Sequence, residues 1–151
     1  MKTLVAYFSR SGRTRRAAEQ IAEEVGGTLY EIRTEKTYPK NYFAAILAAR
    51  REFSAQERPA LAGEPAADFE SYERVLLGFP IWFGTCPMAV ISFLERYDFS
   101  GKSVYPFCTS SMGSCAKAKA DIERACKGGK VLDGVKANRI DKDKIVRWLE
   151  K

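Results

Sequence analysis

Ser9, Ser11, Gly12 and Thr14, in the stretch SRSGRT (residues 9–14), place three hydroxyls and a run of backbone amides between a short apolar run and an amphipathic segment. Hydroxyls, free N–H groups and a helix N-terminus together hold an oxyanion, so the stretch reads as a phosphate cradle in which Arg13 adds a charge. It contains neither GxxxxGK nor GxGxxG, which excludes a nucleotide-hydrolysing P-loop and the dinucleotide fingerprint. The plainer alternative is a cluster that only starts the helix. A second stretch, PIWFGT (80–85), sets Trp82 beside Gly84 and Thr85, where an aromatic face can stack on a flat ring. Its alternative is a tryptophan tucked beneath a neighbouring helix. A third, TSSMGS (109–114), offers small residues and backbone amides suited to the edge of a heterocycle, the alternative being a plain turn. A phosphate cradle, a stacking surface and a polar rim together make the contacts that a phosphorylated planar cofactor needs.

Strands must deliver these loops and helices must follow them. KTLVAYF (2–8) reads as a buried strand, and residues 14–25 as a helix with Ala17, Ala18, Ile21, Ala22 and Val25 on one face, stopped by Gly26 and Gly27. TLYEIR (28–33) reads as a second strand, 42–54 as a helix after the turn at Pro39, and 55–71 as a polar connection. RVLLGF (74–79) has the continuous apolar character of a parallel strand covered on both faces. A helix over 88–97, a strand over 103–108, a helix over 115–127, a strand in KVLDGVKA and a final helix in KDKIVRWLEK complete the pattern. Strands alternating with helices imply right-handed βαβ crossovers and an α/β three-layer sandwich around a parallel sheet. In such sheets ligands bind beyond the carboxyl ends of the strands, where all three unusual loops lie. No repeat or low-complexity linker interrupts residues 1–151, so a single domain is expected.

Composition removes several classes of function. The 151 residues contain no histidine, which excludes Ser/His/Asp and Cys/His nucleophilic triads. Cys86, Cys108, Cys115 and Cys126 form no CxxC pair, so neither a disulfide nor a structural zinc is expected, and no metal. The net charge is +6, but the basic residues are spread among acidic ones, so no nucleic-acid partner is expected. With no apolar run of membrane-spanning length and no leader pattern, the chain is expected to be cytoplasmic, without a membrane partner.

LVAYFSRSGRT, LLGFPIWFGTCP and FLERYDFSGKSVYPFCTSSMGS resemble the phosphate, flavin and strand-four loops of the flavodoxin-like family, most closely its short-chain bacterial members. The resemblance implies a five-stranded parallel sheet in order 2-1-3-4-5 and non-covalent FMN. Ser9, Ser11, Gly12, Arg13 and Thr14 would then bind the phosphate. Pro80, Ile81, Trp82, Phe83, Gly84 and Thr85 would meet the isoalloxazine, and Thr109, Ser110 and Gly113 its other edge. The chain departs from the family in Arg13, where asparagine is usual, in Ser111 and Met112, where glycine is usual, and in its basic charge, which argues against docking on basic reductases. An NAD(P)H-dependent reductase of quinones or similar small acceptors is expected, because TSSMGS has no aromatic to shield the flavin. The alternative is a flavodoxin-type electron carrier with a redox partner protein, and a homodimer is left open. A magnesium-dependent phospho-acceptor module is disfavoured because the first strand lacks an acidic pair. A phosphatase-like reading fails because the first loop has no cysteine. The chemistry would belong to FMN, with no general acid or base among the side chains. Cys108 is read as a buried structural cysteine, with a redox thiol near the flavin as its alternative.

Overall fold

The computed structural model describes residues 1–150. Five parallel strands in the order β2-β1-β5-β6-β7 form the central sheet: β1 (Thr3–Tyr7), β2 (Thr28–Glu31), β5 (Arg74–Pro80), β6 (Ser103–Thr109) and β7 (Lys130–Val131). Its middle strands are buried on both faces, and the two-residue side-chain period sorts them into two cores. Leu4, Ala6, Val75, Leu77, Phe79 and Val104 face one core, while Val5, Tyr7, Leu76 and Phe107 face the other.

Amphipathic helices cover each face. Helix α1 (Arg13–Val25) lays Ala17, Ala18, Ile21 and Ala22 on the second core, joined by Ile145 and Trp148 of α5 (Lys142–Leu149). Helix α3 (Met88–Arg96) supplies Ala89, Val90, Phe93 and Leu94 to the first core, and α4 (Ala116–Ala125) supplies Ala118 and Ile122. Gly78 is required at the sheet centre, because a Cβ there would lie 2.2 Å from the ring of Phe107 on β6.

The expected order and parallel register hold, and three local departures have physical causes. The second strand ends at Glu31; Arg33–Thr34 (β3) turns away to pair antiparallel with Leu61–Ala62 (β4), inside the stretch expected to be polar connection. A two-residue ribbon is too short to leave a periodic signal. That stretch also holds a 3₁₀ turn at Phe69–Ser71 and follows α2 (Tyr42–Ala55). The last strand is split into β7 and β8 (Val135–Lys136), both pairing parallel with β6. Val104 faces Val131 and Phe107 faces Val135, so three steps along β6 oppose four along the edge, and one residue must bulge out.

The expectation of no disulfide is overturned. Cys108 at the end of β6 and Cys115 before α4 are paired, with Cα atoms 6.0 Å apart. They lie seven positions apart in the chain, a spacing outside the CxxC pattern, and only the return of the loop from sheet to helix brings them together. Cys86 and Cys126 are free and buried. No helix among the described residues is long and apolar enough to cross a membrane.

Candidate functional site

All three singled-out loops leave the carboxyl ends of adjacent strands, β1, β5 and β6, and meet at one end of the sheet. Hydrogen bonds tie them to one another. Ile81 N donates to Thr109 O at 3.0 Å, joining the second loop to the third. The hydroxyls of Thr14 and Thr109 lie 2.8 Å apart in a buried contact, joining the first to the third.

In the first loop Gly12 occupies the N-cap of α1 with φ 95°, and its N–H donates to Ser9 Oγ at 3.1 Å. No side chain caps this helix. The amides of Arg13, Thr14 and Arg15 precede the first intrahelical bond, which runs from Arg16 N to Gly12 O, so they point out of the helix end. Ser11 and Arg13 are exposed beside them and Ser9 is half-buried. Only Thr14 is turned inward, its hydroxyl committed to Thr109 rather than to the loop mouth. An uncapped helix N-terminus ringed by hydroxyls and an arginine has the donor set for a phosphate.

The second loop is a tight turn in which Trp82 N donates to Thr85 O and Thr85 N to Trp82 O, at 2.8 and 3.1 Å. Its central residues, Phe83 and Gly84, have φ of 54° and 83°, a left-handed pair that an aromatic adopts only under constraint. The constraint is visible: Thr85 is buried and its hydroxyl donates to Asp121 of α4, while the Phe83 ring packs on Phe53 of α2, with centroids 5.6 Å apart. Trp82 is half-buried. It meets the rings of Phe8 and Tyr38 at near-perpendicular angles, with centroids 5.4 Å away in each case. Tyr38 in turn donates its hydroxyl to Glu52 Oε1 of α2 at 2.6 Å, and burial, reinforced by that carboxylate, pushes the phenol's pKa well above its ordinary value.

The third loop folds on itself. Ser110 Oγ accepts from the amides of Met112 and Gly113 at 3.2 and 2.7 Å, and Ser110 N donates to Asn138 Oδ1 at 3.0 Å. Gly113 sits against the second loop, since a Cβ there would lie 3.1 Å from Ile81 Cγ2. Met112 is 96% exposed and covers nothing.

An apolar groove of about 250 Å³ opens beside Trp82, walled by Ile81 and Phe83 on one side and by Tyr42, Ala45 and Ile46 of α2 on the other, with Arg10 at its mouth. The α2 wall was not anticipated from the sequence. Its signal was present: Tyr42, Phe43, Ile46 and Leu47 put apolar side chains on a helix face that the core does not use, and all four remain exposed.

A flavodoxin family model matches residues 2–151. The chain belongs to the flavodoxin family. It is 31% identical to a protein described as a flavoprotein from Bacteroides eggerthii DSM 20697, superposing with a TM-score of 0.90 over 99% of this chain and 96% of that one. A second such protein, from Bacteroides uniformis ATCC 8492, is 35% identical, with a TM-score of 0.87 over 99% and 98% of the two chains. A flavoprotein from Lactobacillus acidophilus NCFM, solved in complex with FMN, shares the fold at 22% identity, with a TM-score of 0.80 over 98% of each chain. No curated protein matches. The sheet order places the β1 and β5 loops at the topological switch point, where the chain reverses the direction in which it adds parallel strands to the sheet. The residues present at that crevice fit a phosphorylated planar cofactor: an uncapped helix end for the anion and an apolar slot floored by an aromatic for the ring.

Proposed function

We propose that this flavodoxin holds FMN and serves as an NAD(P)H-dependent reductase of quinones or similar small acceptors. The amides of Arg13 to Arg15, with Ser9 and Ser11, would hold the phosphate. Ile81, Trp82 and Phe83 would meet the ring system, and Thr109, Ser110 and Gly113 would line its far edge. Bound there, FMN would supply the hydride and electron transfer. The protein's part is to bind and orient it. Thr14 and Thr109 fix the distance between phosphate loop and rim, Glu52 and Tyr38 hold Trp82 from behind, and the Thr85–Asp121 contact fixes the turn that presents it.

The observation that carries the reductase reading is the open groove beside Trp82. The third loop offers no aromatic lid, and its bulkiest side chain, Met112, points into solvent. A nicotinamide and then an acceptor can approach an uncovered ring, and Arg10 at the mouth suits a phosphorylated donor. The electron-carrier reading is favoured by a different observation, the exposed Tyr42, Phe43, Ile46 and Leu47 beside the groove, which suit a protein partner. Anaerobic addition of NADPH, then NADH, to the FMN-loaded protein separates the two. Rapid bleaching of the flavin bands is expected for the reductase, and bands that persist until a reductase protein is added would overturn it.

A further inference from the structure

We propose that Cys108 and Cys115 form a thiol–disulfide exchange site whose redox state sets the order of the 109–114 loop, with a thiol as its co-reactant. The pair brackets the rim of the candidate site. Cys108 ends β6 and Cys115 is the N-cap residue of α4, so the bridge closes a ring around Thr109 to Ser114. Within that ring Thr109 is bonded to Thr14 of the phosphate loop, and Gly113 presses on Ile81 of the ring-binding loop. Beyond these contacts and the Ile81 N–Thr109 O bond at its start, the loop is held mainly by Ser110, through its own turn and Asn138, while Ser111, Met112 and Ser114 are exposed. Removing a covalent closure from so lightly held a loop raises its freedom.

The surroundings accommodate both redox states. Cys115 Sγ lies 3.4 Å from Val135 O, an acceptor ready for a thiol, and Cys108 is fully buried among apolar side chains, where a thiol packs as a small hydrophobe. The bulged edge strand makes room for the pair, because a Cβ on Gly134 would come within 2.6 Å of Cys115 Cβ. Cys115 is the more accessible of the two, 6% exposed against 0%, and sits at the N-cap of α4. Cys86 and Cys126 offer the contrast, since burial pushes both thiols up to about 12 and neither has a sulfur partner.

The exchange balances with two thiols. The thiolate of a first RSH attacks Cys115 Sγ, forming an RS–S bond and releasing Cys108 as a thiolate that takes up the proton. A second RSH then displaces Cys115 and leaves as part of RSSR, so the disulfide is reduced by two electrons and the two thiols are oxidised.

The effect on FMN rests on the proposed function; the effect on the loop does not. The test compares the full chain, air-oxidised and treated with dithiothreitol, by alkylation mass, hydrogen exchange of the 109–114 peptide and FMN affinity. Two alkylated thiols should become four on reduction, loop exchange should quicken about tenfold, and FMN Kd should rise about tenfold while bound FMN shifts the thiol–disulfide equilibrium towards the disulfide by the same factor. A Cys108→Ala/Cys115→Ala variant should match the reduced protein and ignore dithiothreitol. Four free thiols in the air-oxidised protein, or loop exchange unchanged by reduction, would overturn the site. Absence of FMN binding in both states would instead overturn the flavin assignment, with loop exchange still deciding the disulfide's role.

Discussion

Thr14 illustrates how a residue marked for ligand contact can act one step behind it, through its bond to Thr109. Their hydroxyls bond each other in a buried contact, so removing one leaves the other without a partner, whereas removing both leaves neither exposed. Thr14→Val or Thr109→Val alone should each lower unfolding free energy by about 1–3 kcal/mol. The double variant should recover much of that loss, and denaturant unfolding of the four proteins measures the coupling. Trp82→Ala removes the aromatic floor of the groove and should weaken FMN binding by about tenfold, read by flavin absorbance titration. The buried thiols of Cys86 and Cys126 carry a pH prediction. Each is raised from 9.0 to about 12 by burial, so the folded protein keeps protons that the unfolded chain releases above pH 9. The stability they contribute is complete below pH 9 and is lost as pH rises through 12, at about 1.4 kcal/mol per pH unit for each thiol. Tyr38, raised by burial and the Glu52 carboxylate, acts in the same direction. Stability that stayed level between pH 9 and 11 in urea titrations would contradict this.

At the scale of elements, α2 is the part of the site that the sequence showed least. Its N-cap, Asn41, accepts from Ala44 N at 3.0 Å, and Asn41→Ala should destabilise by about 1 kcal/mol in thermal or denaturant unfolding. Because α2 walls the groove, the same change should also raise the flavin Kd slightly. The strands and helices that deliver the three loops were legible because buried parallel strands read as continuous apolar runs and α1 carries one clean apolar face. The rest was not legible, for separate reasons. β3 and β4 are two residues each and fall below any periodic signal. The bulge between β7 and β8 depends on register against β6, which exists only in the assembled sheet. The Cys108–Cys115 pair depends on a loop returning to its own strand end. Within the site, Trp82 could be placed at the right edge from its position after an apolar run, but its support by Phe8, Tyr38 and Glu52 joins three elements distant in sequence.

For the whole molecule, the crevice is an assembly of three loop ends that the sheet order brings together, and no one loop would make a site alone. The net charge of +6 places four arginines, Arg10, Arg13, Arg15 and Arg16, around the first loop, where they favour an anionic ligand at low salt. Whether SRSGRT and PIWFGT form one flavin site is decided by titrating the purified protein with FMN and with riboflavin, which lacks the phosphate, while following the visible flavin bands. One FMN per chain with perturbed bands, and riboflavin bound about 100-fold more weakly for want of the charge-assisted contacts at the helix end, is the predicted result. Unperturbed FMN bands, or equal affinity for the two flavins, would contradict it.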